Sequence, residues 1–169
     1  MVDALTSIQI REANQEDRDW LTHQLRGSWG STTVVSRGQP HDASALPAFV
    51  AVDGDERVGL ATIRYDSAEC ELVTLDALRK QRGIGSALLD RVAEAARDRG
   101  CMRLWLITSN DNLEAIRFYQ RRGMRLTALH RGAVDEARRL KPSIPEVGEY
   151  GIPLHDELEF ELRLESVDE

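Results

Sequence analysis

The chain has 169 residues, of which 41% are hydrophobic and 30% charged, a balance typical of a soluble globular protein rather than a disordered chain. Its 22 basic and 29 acidic residues give a formal net charge of −7, which argues against general binding to nucleic acid or to anionic membranes, because both partners need a positive surface. A domain of this length buries roughly 70% of its unfolded surface, so we expect a single domain over residues 1–169 (core about 7–164) that needs no disulfide and no metal.

The N-terminal half predicts a strand, a helix and three further strands. Ile8 and Ile10 alternate with polar residues, and Asn14 can cap a helix over residues 15–26. The Gly-, Ser- and Thr-rich segment 27–46 predicts a functional loop or a partly helical excursion. Alternation then predicts strands at 47–52 and 57–65, joined by a turn, and at 69–75, where Glu69 and Glu71 share one face.

The C-terminal half alternates helices with strands. Apolar spacing predicts helices at 84–100, 113–122 and 133–140, and strands at 102–108, 124–130 and 157–164. The last strand alternates clearly between leucines and Phe160 on one face and acidic residues on the other, and we expect its acidic face to be solvated. Asp156 stands at a position that the alternation assigns to the apolar face. Either the strand frays at this residue, or its carboxylate helps to hold a cationic amine. The whole pattern predicts a mixed sheet covered by helices.

Residues that could indicate another environment are few. Cys70 and Cys101 lie in apolar surroundings without metal-binding spacing, and the histidines are scattered, so no metal site is expected. The N-terminal segment lacks the positive start and apolar run of a signal peptide, and the longest apolar stretch, 45–52, is far shorter than the about 20 residues of a membrane span. We therefore expect a cytoplasmic protein.

A glycine-containing loop, Arg79-Lys80-Gln81-Arg82-Gly83-Ile84-Gly85-Ser86, connects the third strand of that series to the next helix. Its two glycines let the backbone approach an anion, and the free amides of the first helical turn point towards it. The basic residues of the loop, with Arg117, Arg121 and Arg122 further along, concentrate positive charge there. A plain tight turn would also account for the glycines, since the loop is neither a Walker loop nor a full dinucleotide fingerprint.

Two motifs in this region resemble those of the GCN5-related N-acetyltransferase (GNAT) superfamily. Lys80, Gly83 and Gly85 match the first, [QR]-x-x-G-x-[GA], with Lys80 in place of Gln or Arg. The second, N-x-x-A-x-x-x-Y-x-x-x-G-F, is matched at every spacing by Asn112, Ala115, Tyr119, Gly123 and Met124, with Met124 in place of Phe. Ala77 also stands where many members carry Pro. The resemblance implies an α/β (α+β) fold with a mixed, mostly antiparallel sheet of about six to seven strands flanked by helices.

The resemblance also implies acetyl-CoA as the donor co-substrate. Its pyrophosphate would lie on the backbone amides of six residues, Gln81, Arg82, Gly83, Ile84, Gly85 and Ser86. The pantetheine arm would pair with the backbone at Leu75 and Ala77, where two strands of the family splay apart. Asn112 would contact the CoA arm, or simply cap its helix.

Three side chains are candidates for the chemistry. Tyr119 occupies the general-acid position of the family and would protonate the departing thiolate, the alternative being an aromatic packed in the core. Glu71, with Glu69 as second choice, is the candidate general base. Both carboxylates could instead be solvated, with the amine deprotonated through water.

The segments 28–46 and 131–153 fall where the family borders its acceptor cleft. The second contains several prolines, which predicts either a stiff wall that shapes the substrate site or a rigid crossover. We expect an acetyl-CoA-dependent N-acetyltransferase that acts on a primary amine of a small molecule. A homodimer is compatible with this function. The alternatives are a protein N-terminal or lysine acetyltransferase and a non-catalytic acyl-CoA-binding regulatory module.

Overall fold

A seven-stranded sheet organises the computed structural model, which describes residues 8–80 and 83–165. Along the chain, the first elements are β1 (Ile8–Glu12), α1 (Arg18–Trp29), β2 (Thr33–Ser36), β3 (Gln39–Asp42), β4 (Ala48–Asp53), β5 (Glu56–Asp66) and β6 (Glu69–Ala77). They are followed by α2 (Ile84–Asp98), β7 (Arg103–Ser109), α3 (Leu113–Arg121), β8 (Arg125–His130), α4 (Ala133–Leu140) and β9 (Glu157–Arg163).

The order of strands in the large sheet is β1-β4-β5-β6-β7-β9-β8. Every neighbouring pair is antiparallel except β6 and β7, which run parallel because α2 connects them as a crossover. The predicted mixed, mostly antiparallel sheet of six to seven strands is thereby confirmed. Among the described residues, no helix combines the length and the apolar composition that crossing a membrane requires.

Helices cover both faces of the sheet, and each face has its own apolar core. The larger core lies under α2 and α3 and includes Leu88, Leu104 and Phe160. The smaller one lies under α1 and contains Leu21, Leu25 and other residues from the strands beneath. Strand β5 contributes to both cores, since its successive side chains point to opposite faces.

The segment 27–46 differs from the prediction of a loop or helical excursion. Helix α1 continues to Trp29, and β2 and β3 then form a separate two-stranded sheet joined by a two-residue turn. Arg37 and Gly38, the turn residues, have φ of +48° and +73°, the left-handed pair that suits the twist of a tight hairpin. Gly38 at the second turn position was the local signal for this hairpin.

Candidate active site

The strands β6 and β7 separate in the middle of the sheet. Their parallel pairing covers only Glu69 with Arg103, Cys70 with Leu104 and Glu71 with Trp105. A bulge follows at once in β6, because Thr62 of β5 pairs with Thr74 while the next residue, Ile63, pairs with Leu72. Such a bulge bends its strand and increases the local twist. A notch therefore opens in the sheet beyond Glu71, and two cavities lie at it.

The first cavity, named the donor groove after the predicted position of acetyl-CoA, has a volume of about 560 Å³. It is bounded by the end of β6, the start of α2 and one face of α3. The lining residues include five predicted for cofactor binding or catalysis, namely Leu75, Ala77, Gly85, Asn112 and Tyr119. The structure thus brings both sequence motifs to one groove.

The N-terminus of α2 has the features of an anion site. Its N-cap is Gly83, at φ +70°, and neither a side-chain cap nor an acidic residue occurs in the described first turn. The amides of Ile84, Gly85 and Ser86 therefore lack a helical acceptor. A Cβ at Gly85 would lie 3.3 Å from the ζ carbon of Phe118, so glycine lets α2 and α3 approach each other closely. The predicted contacts of Gln81 and Arg82 lie outside the described residues.

Positive charge in the groove comes largely from α3. Lys80, Arg117, Arg121 and Arg122 line it, and Arg122 Nε also donates to Ser86 Oγ at 2.6 Å. Arg79 departs from the expectation that it adds to this charge. Its guanidinium pairs with Asp53 at 2.7 Å and also with Glu56, so it is held by the β4–β5 hairpin instead.

Tyr119 belongs to both the core and the groove. Its ring packs edge-on against Phe118, with centroids 5.2 Å apart, and lies 6.4 Å from the ring of Phe160. Burial, with a smaller contribution from the charge of Asp76, raises the pKa of the phenol above its ordinary value. The hydroxyl is therefore protonated at neutral pH, as an unperturbed phenol also is.

Asn112 lies at the junction of the two cavities and lines both of them. Its Oδ1 accepts a hydrogen bond from the backbone amide of Ala115 at 3.2 Å, which caps α3. The predicted cap is therefore present, and the cap fixes the side chain at the groove.

The second cavity, named the acceptor cavity after the acceptor cleft that the resemblance predicts, has a volume of about 380 Å³. Its walls come from the end of α1, from β2, from β6 and β7 at the notch, and from the segment after α4. They include Trp29, Val34, Ser36, Glu71, Val73, Ile107, Val134, Lys141, Ile144, Pro145, Leu154 and Glu157. Both segments that the sequence analysis expected beside a cleft thus contribute to its walls.

Hydrogen bonds hold the wall after α4 in place. Lys141 Nζ donates to the carbonyl oxygens of Trp29 and Thr33, at 2.9 and 3.0 Å, and burial lowers the pKa of this amine. The Arg138 guanidinium donates to three backbone carbonyls, those of Ile144, Pro145 and Leu154. The segment is both a rigid crossover and a wall of the cavity.

The two predicted base candidates have different surroundings. Glu71 is the last residue of β6 that pairs with β7, and it is buried in the wall of the acceptor cavity. Its Oε1 accepts from Ser36 Oγ at 2.5 Å and its Oε2 from the Arg64 Nη2 at 2.9 Å. Glu69 is 39% exposed, pairs with Arg103 and lines neither cavity.

The prediction that the acidic face of β9 is solvated is wrong. Glu157 and Glu159 are each only 5% exposed, because the β2–β3 hairpin and β8 bring Arg37 and His130 over them. Burial alone would raise the pKa of Glu159, but hydrogen bonds from Arg103, Arg37 and His130 lower it to about 2. Glu157 lines the acceptor cavity, and sequence reasoning missed it because alternation does not tell which face another segment covers.

Asp156, next to Glu157, does not line the cavity. Its Oδ1 accepts from the backbone amide of Gly132 at 2.8 Å, so the carboxylate holds the turn that begins α4. This hydrogen bond explains why a carboxylate stands where the alternation predicts an apolar residue, and no amine ligand is needed to account for it.

Comparison with known proteins gives the same family as the motifs. The model of the acetyltransferase (GNAT) family matches residues 14–124. The chain is 40% identical over 148 residues to the protein YdhI of Bacillus subtilis (strain 168), covering 87% of this chain and 92% of YdhI. It is 35% identical over 98 residues to streptothricin acetyltransferase of Streptomyces lavendulae, covering 52% and 51% of the two chains.

The fold is also found among solved structures. A GNAT family acetyltransferase from Elizabethkingia anophelis, crystallised with acetyl-CoA bound, superposes with a TM-score of 0.68 at 19% identity, covering 94% of this chain and 99% of that one. The family match extends over more than half of the sequence and includes the glycine loop, the notch and α3. The chain therefore belongs to the GNAT acetyltransferase family.

Proposed function

We propose that the chain is an acetyl-CoA-dependent N-acetyltransferase that acetylates a primary amine of a small molecule. The observation that carries the proposal is the pair of cavities at the notch, which share Asn112 and divide a cationic groove from a cavity containing buried carboxylates. A donor and an acceptor approaching from the two sides would meet there.

The donor groove suits the chemistry of CoA. The uncapped amides at the start of α2 would take the pyrophosphate, and the four cations of the groove would take the remaining phosphate charge. Beyond Glu71, β7 no longer pairs with β6 in the described chain, so the β6 backbone at Leu75 and Ala77 is open to the amide groups of the pantetheine arm. The acetyl-CoA bound to the Elizabethkingia relative supports this donor.

In the proposed reaction, the nitrogen of a neutral amine attacks the thioester carbonyl and the C–S bond breaks. The phenol of Tyr119 gives its proton to the departing thiolate and recovers one as the new amide nitrogen loses its own. The sequence pointed to Glu71 and Glu69 as proton acceptors for the incoming ammonium. Glu71 is better located than Glu69 because it lines the acceptor cavity.

A small acceptor is favoured over a protein because the wall after α4 narrows the site. This wall is tied to α1 and β2 through Lys141, and the cavity that it borders has a volume of about 380 Å³, which suits a small molecule. The partial match to an enzyme named for streptothricin makes that compound one acceptor to test.

The test measures acetyl-CoA binding by calorimetry and release of free thiol with two panels of acceptors. One panel holds small primary amines, including streptothricin, and the other holds peptides with a free N-terminus or a lysine. Turnover with the small amines is expected. Turnover with peptides alone would assign the chain to protein acetylation, binding without any turnover would favour a regulatory module, and failure to bind acetyl-CoA would refute the proposal.

A further inference from the structure

Glu157 is a buried carboxylate with an unused oxygen in the wall of the acceptor cavity. The side chain belongs to a residue that is only 5% exposed. Its Oε2 has no hydrogen-bond partner within the part of the chain that the structure describes. A buried polar atom left in this way is costly unless a ligand or a water molecule completes it.

We propose that Glu157 is the general base of this enzyme, accepting a proton from the ammonium group of the acceptor in the cavity. The inference rests on the proposed function, and it names both a catalytic residue and the charge of the acceptor: a primary amine that enters as its cation.

The other charged side chains of the cavity already have partners. Glu71 uses both oxygens, one with Ser36 and the other with Arg64. The ammonium group of Lys141 donates hydrogen bonds to the backbone carbonyl oxygens of Trp29 and Thr33. The remaining polar groups of the lining are uncharged, such as those of Thr108, Ser109 and Asn112. Glu157 is thus the carboxylate of this cavity, among the described residues, that has an oxygen without a hydrogen bond.

The groups around Glu157 favour a base that works near neutral pH. Burial raises its pKa, and the neighbouring charge of Glu71 on β6 acts in the same direction. His130 on β8 and the Arg37 backbone act against it, and Lys141 is the cation on the opposite wall. The Arg37 guanidinium itself is occupied by Glu159, at 2.6 Å. The net effect is a pKa above that of an ordinary glutamate, closer to the pH at which a base is most effective.

Glu157 and Tyr119 together account for every proton that moves in the reaction. The carboxylate of Glu157 takes one proton from the ammonium and leaves a neutral amine, whose nitrogen then forms the bond to the acetyl carbon. The thiolate leaves with the proton of Tyr119, and the phenolate is reprotonated from the amide nitrogen. Glu157 finally releases its proton to water, so each turnover yields the acetamide, CoA thiol and one proton.

The experiment compares the wild type with Glu157→Gln, an isosteric change that removes the base, and with Glu157→Asp, which keeps a carboxylate. Glu165→Gln is the matched control, because it removes one exposed carboxylate just beyond the same strand. Free-thiol release is followed from pH 5 to pH 10, with acetyl-CoA affinity and thermal unfolding measured for each variant.

We expect Glu157→Gln to lose about 10²- to 10⁴-fold in kcat/KM at neutral pH and to lose the acidic limb of the pH profile, while acetyl-CoA affinity stays within twofold. Glu157→Asp should keep the limb at reduced rate, and the control should behave as the wild type. If Glu157→Gln retains the limb, or only raises KM, Glu157 is not the base. If it fails to fold, the Asp variant decides by the same criterion. A wild-type chain that turns over no amine overturns the proposed function and this assignment together.

Discussion

Replacing Tyr119 by phenylalanine removes one hydroxyl from the donor groove and leaves the ring. The ring contacts with Phe118 and Phe160, at 5.2 and 6.4 Å between centroids, do not involve the oxygen, so the core around α3 should persist. We therefore expect the free energy of unfolding to change by no more than about 1 kcal/mol, the usual net contribution of one hydrogen bond.

The effect on catalysis should be much larger. A positioned acid contributes about 10²- to 10⁴-fold, which corresponds to about 3–5 kcal/mol of activation free energy. The expected result is a fall of that size in kcat, measured as thiol release at saturating acetyl-CoA, with an unchanged dissociation constant for acetyl-CoA. Chemical denaturation of the same samples provides the stability comparison.

Tyr65→Phe is the matched control. Tyr65 lies on β5 with its ring 4.1 Å from the guanidinium of Arg99, and it lines neither cavity, so its hydroxyl should not matter for turnover. A Tyr119→Phe variant whose kcat stays within twofold of wild type would refute the acid role. In that case water protonates the thiolate, and Tyr119 serves the core alone.

Further predictions concern the fold and the donor loop. The wholly buried Asp17 is held by two arginines that are 39% and 29% exposed, so Asp17→Asn should cost about 2–3 kcal/mol at pH 7, less than the about 3–5 of a fully buried pair. These contacts lower the pKa of Asp17, so the stabilisation is present above the unfolded-state pKa near 3.9 and is lost as the pH falls through the folded-state pKa. Urea unfolding should therefore show a smaller stability difference between wild type and Asp17→Asn at pH 2.5 than at pH 7. Gly148→Ala should lose about 1–3 kcal/mol in thermal unfolding, because a Cβ there would lie 2.1 Å from Asp111 Oδ2. Gly27→Ala, in α1 with no atom within 4 Å of the added carbon, should instead gain up to about 1 kcal/mol. Gly83→Ala forces a side chain to φ +70°, costing about 1–2 kcal/mol, and should weaken acetyl-CoA binding about tenfold in calorimetry.

Each of these has an outcome that would contradict it. An Asp17→Asn penalty that is the same at both pH values would show that the charge is not responsible. Equal melting temperatures for the Gly148 and Gly27 variants would rule out the close contact at Asp111. Unchanged acetyl-CoA affinity in Gly83→Ala would mean that the amides at the start of α2 do not hold the cofactor.

Much of the fold followed from local patterns. Asn14 was predicted to cap a helix, and its Oδ1 accepts from the Glu16 amide at 2.9 Å at the turn leading into α1. The apolar spacing after Gly83 predicted a helix at 84–100, and α2 spans Ile84–Asp98. Periodicity and capping depend on residues within a few positions of each other, so a single sequence contains this information.

The motifs likewise predicted that two distant segments of the chain would meet. Gly85 and Tyr119, 34 positions apart, line the same cavity because the strand and helix between them return the chain to the same edge of the sheet. The expected order of elements was enough to predict that meeting. It did not predict the direction of Arg79, whose side chain could reach either the groove or the hairpin acids.

The sequence by itself determined the family, the glycine loop before α2 and the order of the elements apart from the β2–β3 hairpin. Only the tertiary structure decided which carboxylates are buried and which remain unpaired. Glu157 and Glu159 alternate with apolar residues as solvated side chains do, yet Arg37, 122 positions before Glu159, reaches over them and excludes water. Alternation assigns a residue to a face of a strand, whereas the burial of that face, and with it the pKa of an acid, depends on which distant segment covers it.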